Sequence, residues 1–407
     1  MLGVLSHKVY RRLFAAQIVA LTGTGLATVA LGLLAYELAG DRAGLVLGLA
    51  LTIKMVAYVL VAPVAAAFAE RLDRRKLLIS LDVVRAAVAI CLPFVTEIWQ
   101  IYVLIFVMQS ASAGFTPAFQ ATIPDILTDE KEYTNALSLS RLAMDLESLL
   151  SPAVAAILLG FVSFSDLFWG TSVGFVASAV LVASVLLPSP TPGPKRPIYE
   201  RTTRGLRLYL KTPRLRGLLA LSWVAAAISS MVIVNTVVIV RSNLGLGESE
   251  VALLLAGFGG GSMFAALLLP RLLKYYSDRT LMLSGGALSV FVLLGLTVFL
   301  RGSDHAFAIL VIGWFLTGFC YSTILTPSGR VLARSADAAD RPAIFAAQFA
   351  LSHACWLVLY PLTGVLMTYA GLFITLLVVA AVSAGGVIAA YLLWPVKVSA
   401  ENPVAQE

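Results

Sequence analysis

Twelve long apolar stretches divide this chain of 407 residues, and they constrain its fold more than any other feature. A helix needs about 20 mostly apolar residues to cross a lipid bilayer. The stretches lie at about 13–38, 43–67, 77–96, 99–120, 135–160, 166–187, 217–240, 249–269, 281–300, 306–326, 343–370 and 372–394. None alternates apolar and polar residues in the way that is typical of a membrane β-barrel. The sequence therefore predicts an all-α membrane protein with twelve transmembrane helices.

The composition supports this prediction. Hydrophobic residues make up 59% of the chain and charged residues 13%, whereas soluble proteins have about 45–50% and about 25%. Soluble enzymes, nucleic-acid-binding proteins and disordered scaffolds are therefore excluded. The three cysteines lie in apolar stretches and form no CxxC pair, so they give no disulfide framework. The run GFGGG at 257–261 lacks the Lys-Ser/Thr ending of a phosphate loop and predicts a smooth helix surface for close packing or for bending. No ATP-binding motif is visible, and we expect no enzymatic activity and no cofactor.

The distribution of lysine and arginine predicts the orientation. If the N-terminus is placed inside, 23 of the 29 basic residues fall in inside segments and three fall outside. Segments rich in basic residues stay in the cytoplasm, so we expect both termini to be cytoplasmic. The first apolar stretch follows Lys8, Arg11 and Arg12 without a convincing cleavage site, which is typical of a retained span rather than a signal peptide.

A long polar segment separates six stretches from the next six. Residues 188–216 contain several prolines and eight basic residues. The prolines disfavour a continuous helix, and the charges keep the segment at the cytoplasmic face. We interpret it as a basic linker, with a lipid-binding or regulatory patch as the alternative. The predicted halves cover 1–187 and 217–396, and a short cytoplasmic tail follows at 397–407.

The two halves resemble each other in sequence. FTPAFQATIPDIL from Phe115 and ILTPSGRVLARSA from Ile324 share a Thr-Pro pair at an offset of about 210 residues. In each half, the next apolar stretch carries a proline late in the span, Pro152 and Pro361. Paired halves of this kind are typical of transporters that rock around a central site.

The loop between the second and third stretches carries a family motif. It reads AAFAERLDRRKLL from Ala66 and resembles the signature loop of the major facilitator superfamily, Gly-x-x-x-Asp-Arg-x-Gly-Arg-Arg. Both glycines are replaced, but Glu70, Arg71, Arg74 and Arg75 keep the charged positions. The resemblance implies the twelve-helix major facilitator fold and transport by alternating access. We expect the loop charges to form a conformational latch that holds in one state only; the alternative is ordinary cytoplasmic anchoring.

Six ionisable residues lie inside the apolar stretches, where a charge is costly and indicates function by default. They are Lys54, Asp82, Arg85, Arg141, Asp145 and Glu147. Two oppositely charged pairs stand three or four residues apart on the third and fifth stretches, so each pair shares one helix face. Equal numbers of acids and bases predict a mutually neutralised network.

The fifth stretch carries the candidates for proton coupling. Arg141 and Asp145 share one stripe of a helix, and Glu147 lies on another stripe about 100° away. We expect one stripe to face the other half and one to face the central cavity. Glu147 is the first candidate for the proton carrier because a carboxylate without a partner or water binds a proton readily. Interhelical hydrogen bonding is the alternative. Asp145 is expected to stay ionised next to Arg141.

The remaining candidates are polar side chains of both halves. His353 and Cys355 are two residues apart, so a regular helix points them about 160° from each other. They would bind one metal ion together only on a distorted helix, with Met144 as a further ligand. His353 is either a packing residue or a ligand or proton relay. Residues that line the substrate cavity, or alternatively hold helices together, are predicted to be Lys54, Asp82, Arg85, Gln109, Asn235, Gln348 and Trp356.

The chain is also similar to nickel-resistance exporters of the bacterial drug and metabolite branch. The similarity lies in YRRLFAAQIVALTGTGLATVALGLLAYEL from Tyr10 and SLSRLAMDLESLLSP from Ser138, whereas the tail lacks the histidines that such exporters can carry. The resemblance implies a monomeric, multi-pass antiporter of the bacterial inner membrane that uses protons.

Two substrate classes stay open. A divalent first-row cation such as nickel or cobalt prefers imidazole, thiolate or carboxylate ligands. A hydrophobic or cationic drug prefers an apolar cavity with few polar groups. A siderophore or another metabolite is a third alternative, and a non-transporting receptor built on the same fold is the alternative of another class.

Overall fold

The structure, a computed structural model, describes residues 2–39, 43–69, 72–188, 198–337 and 339–395. Every regular element in these ranges is a helix. The α-helices are α1 (Lys8–Ala39), α2 (Ala43–Ala69), α3 (Arg74–Cys91), α4 (Ile98–Ile126), α5 (Glu130–Leu159), α6 (Phe164–Ala183), α7 (Ile198–Lys211), α8 (Pro213–Val238), α9 (Glu248–Leu272), α10 (Asp278–Phe299), α11 (Ala306–Leu325), α12 (Ser328–Ala333) and α13 (Arg341–Leu393). Short 3₁₀ turns cover Leu2–Ser6 and Leu92–Phe94, and a π-helical turn extends α8 over Ile239–Asn243.

The number of membrane-crossing helices agrees with the predicted twelve. Within the described ranges, ten helices are long and apolar enough to cross a bilayer. One of them, α13, has 53 residues and would extend over about 80 Å if it were straight, far beyond the apolar core of about 30 Å. Gly371 interrupts it with φ +77°, a left-handed conformation that glycine adopts without strain. This break gives two spans, and the 30-residue α5 is a further helix of spanning length.

The helices contact one another in the same pattern in both halves. In the first half, α1 contacts α5 and α6, α2 contacts α4, and α3 contacts α4 and α6. In the second half, α8 contacts α13, α9 contacts α11, and α10 contacts α11 and α13. The two halves meet where α2 and α4 lie against α13 and where α5 lies against α9. The structure therefore repeats the duplication that the two Thr-Pro segments indicate.

Glycines allow α9 and α11 to approach closely. A Cβ atom at Gly261 would overlap the carbonyl oxygen of Phe315, and one at Gly318 would overlap the carbonyl oxygen of Phe258. Each backbone thus occupies the space that a side chain on the other helix would need. Small residues are the usual means of close contact between helices in membranes, and the run at 257–261 has this role, which is the first of the two predicted alternatives.

The predicted linker contains a helix. α7 begins at Ile198, directly after Pro197, and ends at Lys211, two residues before Pro213, so the prolines limit the helix at its ends rather than prevent it. The Tyr209 side chain is fully buried and donates a hydrogen bond to Gln348 Oε1 on α13. Arg204 donates two bonds of 2.8 Å to Asp340. The helix is therefore anchored to the second half. The tail at 397–407 lies outside the described residues.

Large apolar side chains cover the outside of the bundle. Phe161 is 85% exposed, Tyr369 86% and Phe291 71%. Soluble monomers rarely expose contiguous apolar surface of this kind, and a lipid environment removes its cost. The surface therefore agrees with a bundle that lies in a bilayer.

Candidate functional site

Ion pairs join the two halves at one end of the bundle. Asp125, at the end of α4, binds Arg74 at the start of α3 and Arg341 at the start of α13. Arg74 is 5% exposed and Asp125 12%, so water screens this group only weakly. We call this end of the bundle, which carries Arg74 and Arg341, the basic face.

A second group of charges lies beside the first on the basic face. Arg330 Nη2 is 2.6 Å from Glu130 Oε1 of α5, and Arg330 Nε is 3.0 Å from Asp278 Oδ1 of α10. Arg334 also binds both acids, at 2.6 Å from Asp278 Oδ2. Because Glu130 belongs to the first half and the other three residues to the second, these pairs hold the halves together.

The predicted latch corresponds to this arrangement in part. Glu70 and Arg71 lie outside the described residues. Arg74 shares Asp125 with the other half, whereas Arg75 donates a hydrogen bond to the carbonyl of Ala183 in its own half. The contacts that cross between the halves come mainly from the two Thr-Pro segments, which contain Asp125 and the two arginines that bind Glu130.

Deeper in the bundle, aromatic and polar side chains of both halves meet. We call this group the central cluster; it consists of Lys54, Tyr58, Gln109, Glu147, Phe349, His353 and Trp356. The Tyr58 ring lies 4.8 Å from the His353 ring and 4.9 Å from that of Phe349. Tyr58 also donates a hydrogen bond of 2.8 Å to Gln109. By helix rise, the cluster lies about 18–25 Å along the helices from the basic face, which is near the middle of a bilayer.

Glu147 is the carboxylate of the central cluster. Ser151 donates a hydrogen bond of 3.3 Å to it, and Lys54 of α2 attracts it electrostatically. No cation shares the helix face of Glu147, as the sequence indicated, but Lys54 of another helix supplies one. Gly25 of α1 makes room for it, because a Cβ there would lie 2.6 Å from Glu147 Oε1.

Asp145 and Arg141 face the other half instead. Arg141 Nη2 is 2.8 Å from Asp145 Oδ1, and Ser262 of α9 donates a bond of 2.6 Å to Asp145 Oδ2. The Arg141 guanidinium lies 4.5 Å from the centre of the Tyr321 ring on α11. The two stripes of α5 therefore point in different directions, one to the other half and one to the central cluster.

Asp82 and Arg85 pair with each other, and Arg85 interacts electrostatically with Tyr58 of the central cluster. They form a buried pair inside the first half, where Ser178 of α6 donates a bond of 2.8 Å to Asp82. The Arg85 guanidinium is 4.1 Å from the centre of the Phe115 ring and 4.5 Å from that of Phe175. The structure thus places this pair between α3, α4 and α6.

Two of the predicted metal ligands, His353 and Cys355, lie against backbone carbonyls. His353 Nδ1 is 2.7 Å from the carbonyl oxygen of Phe349, and Cys355 Sγ donates to the carbonyl of Leu351 at 3.2 Å. Met144 is half-buried on α5. Within the described ranges, no three His, Cys, Asp or Glu side chains lie close enough to hold a metal ion.

The other predicted cavity residues hold helices together or belong to the central cluster. Gln348 donates a hydrogen bond of 3.0 Å to Ser222 and accepts one from Tyr209 of α7. Asn235 donates a bond of 3.4 Å to the carbonyl of Thr363. Trp356 belongs to the central cluster and donates a bond of 2.8 Å to Ser229 of α8.

Comparison with known families decides the identity of the fold. The sequence pattern of the Major Facilitator Superfamily matches residues 13–240 and again 218–407. The chain belongs to this superfamily. Two successive matches agree with the repeated helix contacts of its two halves.

Relatives with assigned names include an MFS-type transporter and a macrolide efflux protein. The chain is 26% identical over 257 residues to the uncharacterized MFS-type transporter YfiS of Bacillus subtilis, which covers 60% of this chain and 61% of that protein. It is 26% identical over 181 residues to macrolide efflux protein A of Streptococcus pyogenes, which covers 43% and 44%. The chain thus matches less than two thirds of the length of these relatives.

Solved structures share the fold at low identity. The human organic anion transporter MFSD10 superposes with a TM-score of 0.80 over 94% of this chain and 98% of that one. A bacterial homologue of the iron transporter ferroportin in an outward-facing state gives 0.74 over 95% and 98%. Both are 13% identical to this chain, so the likeness concerns the fold alone.

Several residues of the site escaped the sequence analysis. Tyr58, Ser262 and Tyr321 are neutral side chains in apolar stretches, and no spacing pattern distinguishes them. Asp125 and Glu130 lie between two predicted spans, and no motif distinguishes them. The duplicated segments were the available signal, because a repeated loop at corresponding ends of two halves is a natural contact point between them.

Proposed function

We propose that the chain is a proton-coupled exporter of amphipathic organic molecules. It would work by alternating access in a bacterial cytoplasmic membrane, with the basic face in the cytoplasm. The central cluster is the observation that carries the proposal, because it combines aromatic rings from both halves with Lys54, which lies 5.6 Å from the centre of the Tyr58 ring and attracts one carboxylate, Glu147. The name of the macrolide efflux relative supports the direction and the kind of substrate.

An organic substrate suits the central cluster better than a nickel or cobalt ion does. Small-molecule sites are mostly apolar and aromatic, with few polar groups that orient the ligand. The rings of Tyr58, Phe349 and Trp356 offer such a surface, and Glu147 and Lys54 offer the polar groups. A divalent ion would need several nitrogen, sulfur or carboxylate ligands, and His353 directs Nδ1 towards a backbone carbonyl instead.

Glu147 and Lys54 provide a means of coupling. When Glu147 is ionised, it attracts the Lys54 ammonium across the space between α5 and α2. Protonation removes that attraction and makes the region less polar, whereas release of the proton restores a carboxylate that can bind a cationic group. Proton and substrate would therefore occupy the site in alternation, as antiport requires.

The basic face provides the conformational part of the mechanism. In this structure its ion pairs close the halves together at one end. Access to the central cluster from that end requires these pairs to separate, because Asp125 and Glu130 belong to one half and their partners Arg341 and Arg330 to the other. We expect the pairs to favour the state that is open on the opposite side.

Transport in everted membrane vesicles tests the proposal. A pH-sensitive dye would report proton movement in energised vesicles after macrolides and lipophilic cations are added, and separately after nickel, cobalt or zinc salts. We expect a response to at least one organic compound and none to the metals. The response should disappear in Glu147→Gln, which keeps the shape of the side chain and removes its charge.

Glu132→Gln is the matched control. This residue lies on the same helix but is exposed in the first turn at the basic face, so its substitution should leave transport unchanged. Proton release with a metal that is lost in His353→Ala would overturn the organic substrate and favour metal export. An organic response that persists in Glu147→Gln would refute the coupling role of this carboxylate.

A further inference from the structure

We propose that the basic face of the second half contains a binding site for the headgroup of an anionic phospholipid. The site is a cavity of about 210 Å³ between the ends of α8, α10 and α13. Three arginines and two hydroxyl groups line it, contributed by Arg214, Arg279, Arg334, Ser277 and Thr280. Guanidinium groups bind phosphate oxygens with two parallel hydrogen bonds, and serine and threonine hydroxyls can donate further ones.

The positive charge of the cavity exceeds what the protein neutralises. Arg279 donates to the backbone carbonyls of Trp394 and Tyr391 at 2.8 and 3.1 Å, and Arg214 donates to the carbonyl of Arg334 at 3.3 Å. Among the described residues, neither Arg214 nor Arg279 forms an ion pair with a carboxylate. Asp278, the acid that lines the cavity, already forms ion pairs with Arg334 and Arg330. An anion would therefore neutralise charge that the fold gathers and leaves unpaired.

An apolar surface next to the cavity indicates that the anion is a lipid headgroup. On α13, Ile388 is 59% exposed, Tyr391 60% and Leu392 74%. Their spacing places them on one helix face, and the Tyr391 ring lies 5.1 Å from the Arg279 guanidinium. Acyl chains can lie along this face while the phosphate enters the cavity. Basic pockets between membrane helices on the cytoplasmic side are suited to such headgroups.

The site is connected to the contact between the halves. Arg334 lines the cavity and also binds Glu130 of the first half. A phosphate in the cavity would share Arg334 with Glu130, so the occupancy of the site and the closure of the basic face are linked. This inference concerns a lipid and does not depend on the exported substrate.

Native mass spectrometry of the purified full chain tests the site. Phosphatidylglycerol would be titrated in detergent, with phosphatidylcholine as the neutral lipid and glycerol phosphate as the soluble phosphate. We expect saturable binding of phosphatidylglycerol that is weakened about ten-fold or more in Arg214→Gln, since a hydrogen bond to a charged group contributes about 1.5–3 kcal/mol.

Arg216→Gln is the matched control, because this exposed arginine stands two residues away on the same helix and does not line the cavity. It should bind phosphatidylglycerol like the unaltered protein. A thermal unfolding curve of each variant in phosphatidylcholine would show that the fold is intact, and Thr280→Val offers a second variant without a charge change. Equal loss in Arg214→Gln and Arg216→Gln, equal binding of both lipids, or competition by glycerol phosphate at equal concentration would each overturn the lipid site.

Discussion

Asp125→Asn should open the basic face. The substitution removes the carboxylate that joins Arg341 of the second half to the first half. The two side chains are 12% and 22% exposed, which places the pair between a fully buried one, worth about 3–5 kcal/mol when broken, and a surface one, worth about 0.2–1 kcal/mol. We take about 1–2 kcal/mol for the contact between the halves, which is about a five- to thirty-fold change in the ratio of closed to open molecules.

Arg341→Gln separates this effect from a loss of fold. Asp125 also binds Arg74, which is 5% exposed and lies in the same half. Asp125→Asn therefore leaves Arg74 buried without its partner, and that penalty lowers the stability of every state. Arg341→Gln removes the contact between the halves only. It should shift the equilibrium by a similar factor at a smaller cost in melting temperature.

Distances between spin labels would measure the shift. Lys131 and Lys274 are exposed, belong to different halves and line one cavity of the basic face, so Lys131→Cys and Lys274→Cys give a suitable pair of sites. Cys91 is exposed and must be replaced by serine, whereas Cys320 and Cys355 are buried. We expect a short distance in the unaltered protein and a larger population at long distance in the two variants.

Asp337→Asn is the control for this experiment, because it removes an exposed acid from the same face and forms no ion pair among the described residues. Its distance distribution should match that of the unaltered protein. Unchanged distributions in both Asp125→Asn and Arg341→Gln would refute the idea that this ion pair holds the halves together. An equal shift in Asp337→Asn would show that general loss of negative charge, rather than the contact, is responsible.

Three further substitutions test the fold. Gly261→Ala should lower the melting temperature because its Cβ overlaps a backbone carbonyl, at a cost of about 1–3 kcal/mol. Gly32→Ala should not, because the space around Gly32 is open. Thermal unfolding in detergent distinguishes the two variants, and equal melting temperatures would contradict the close approach of α9 and α11. Asp82→Asn should cost about 3–5 kcal/mol because it leaves Arg85 buried without a carboxylate, and a change below 1 kcal/mol in chemical denaturation would show that the pair is dispensable. Tyr209→Phe removes the hydrogen bond from α7 to α13. It should loosen α7 and speed its cleavage by a protease at unchanged melting temperature. An unchanged cleavage rate would show that this hydrogen bond does not hold the helix.

Much of the fold follows from properties that act locally along the chain. A run of about 20 apolar residues must satisfy its backbone hydrogen bonds within itself when it enters a bilayer, so it becomes a helix wherever it occurs. The charge pattern and the repeated Thr-Pro segments likewise need no tertiary information. The break at Gly371 was also anticipated, as the gap between the last two apolar stretches.

The partners of the charged residues could not be predicted in the same way. Helix periodicity shows that Asp145 and Glu147 point in different directions, but it does not show which direction faces which neighbour. The structure places Asp145 against Ser262 of the other half and Glu147 near Lys54. It also places Asp82 against Ser178 of α6.

The sequence by itself determined that the chain forms helices, that they lie in a membrane, that they form two halves and that they belong to this superfamily. Each of these properties depends on hydropathy or on motifs that are local to a segment of the chain. Only the tertiary structure decided which side chains meet. Its ion pairs at the basic face, its central cluster and its arginine cavity each combine residues from three or more helices that are far apart in sequence. Such contacts depend on how the helices are rotated and packed against one another, and a linear pattern carries no record of that rotation.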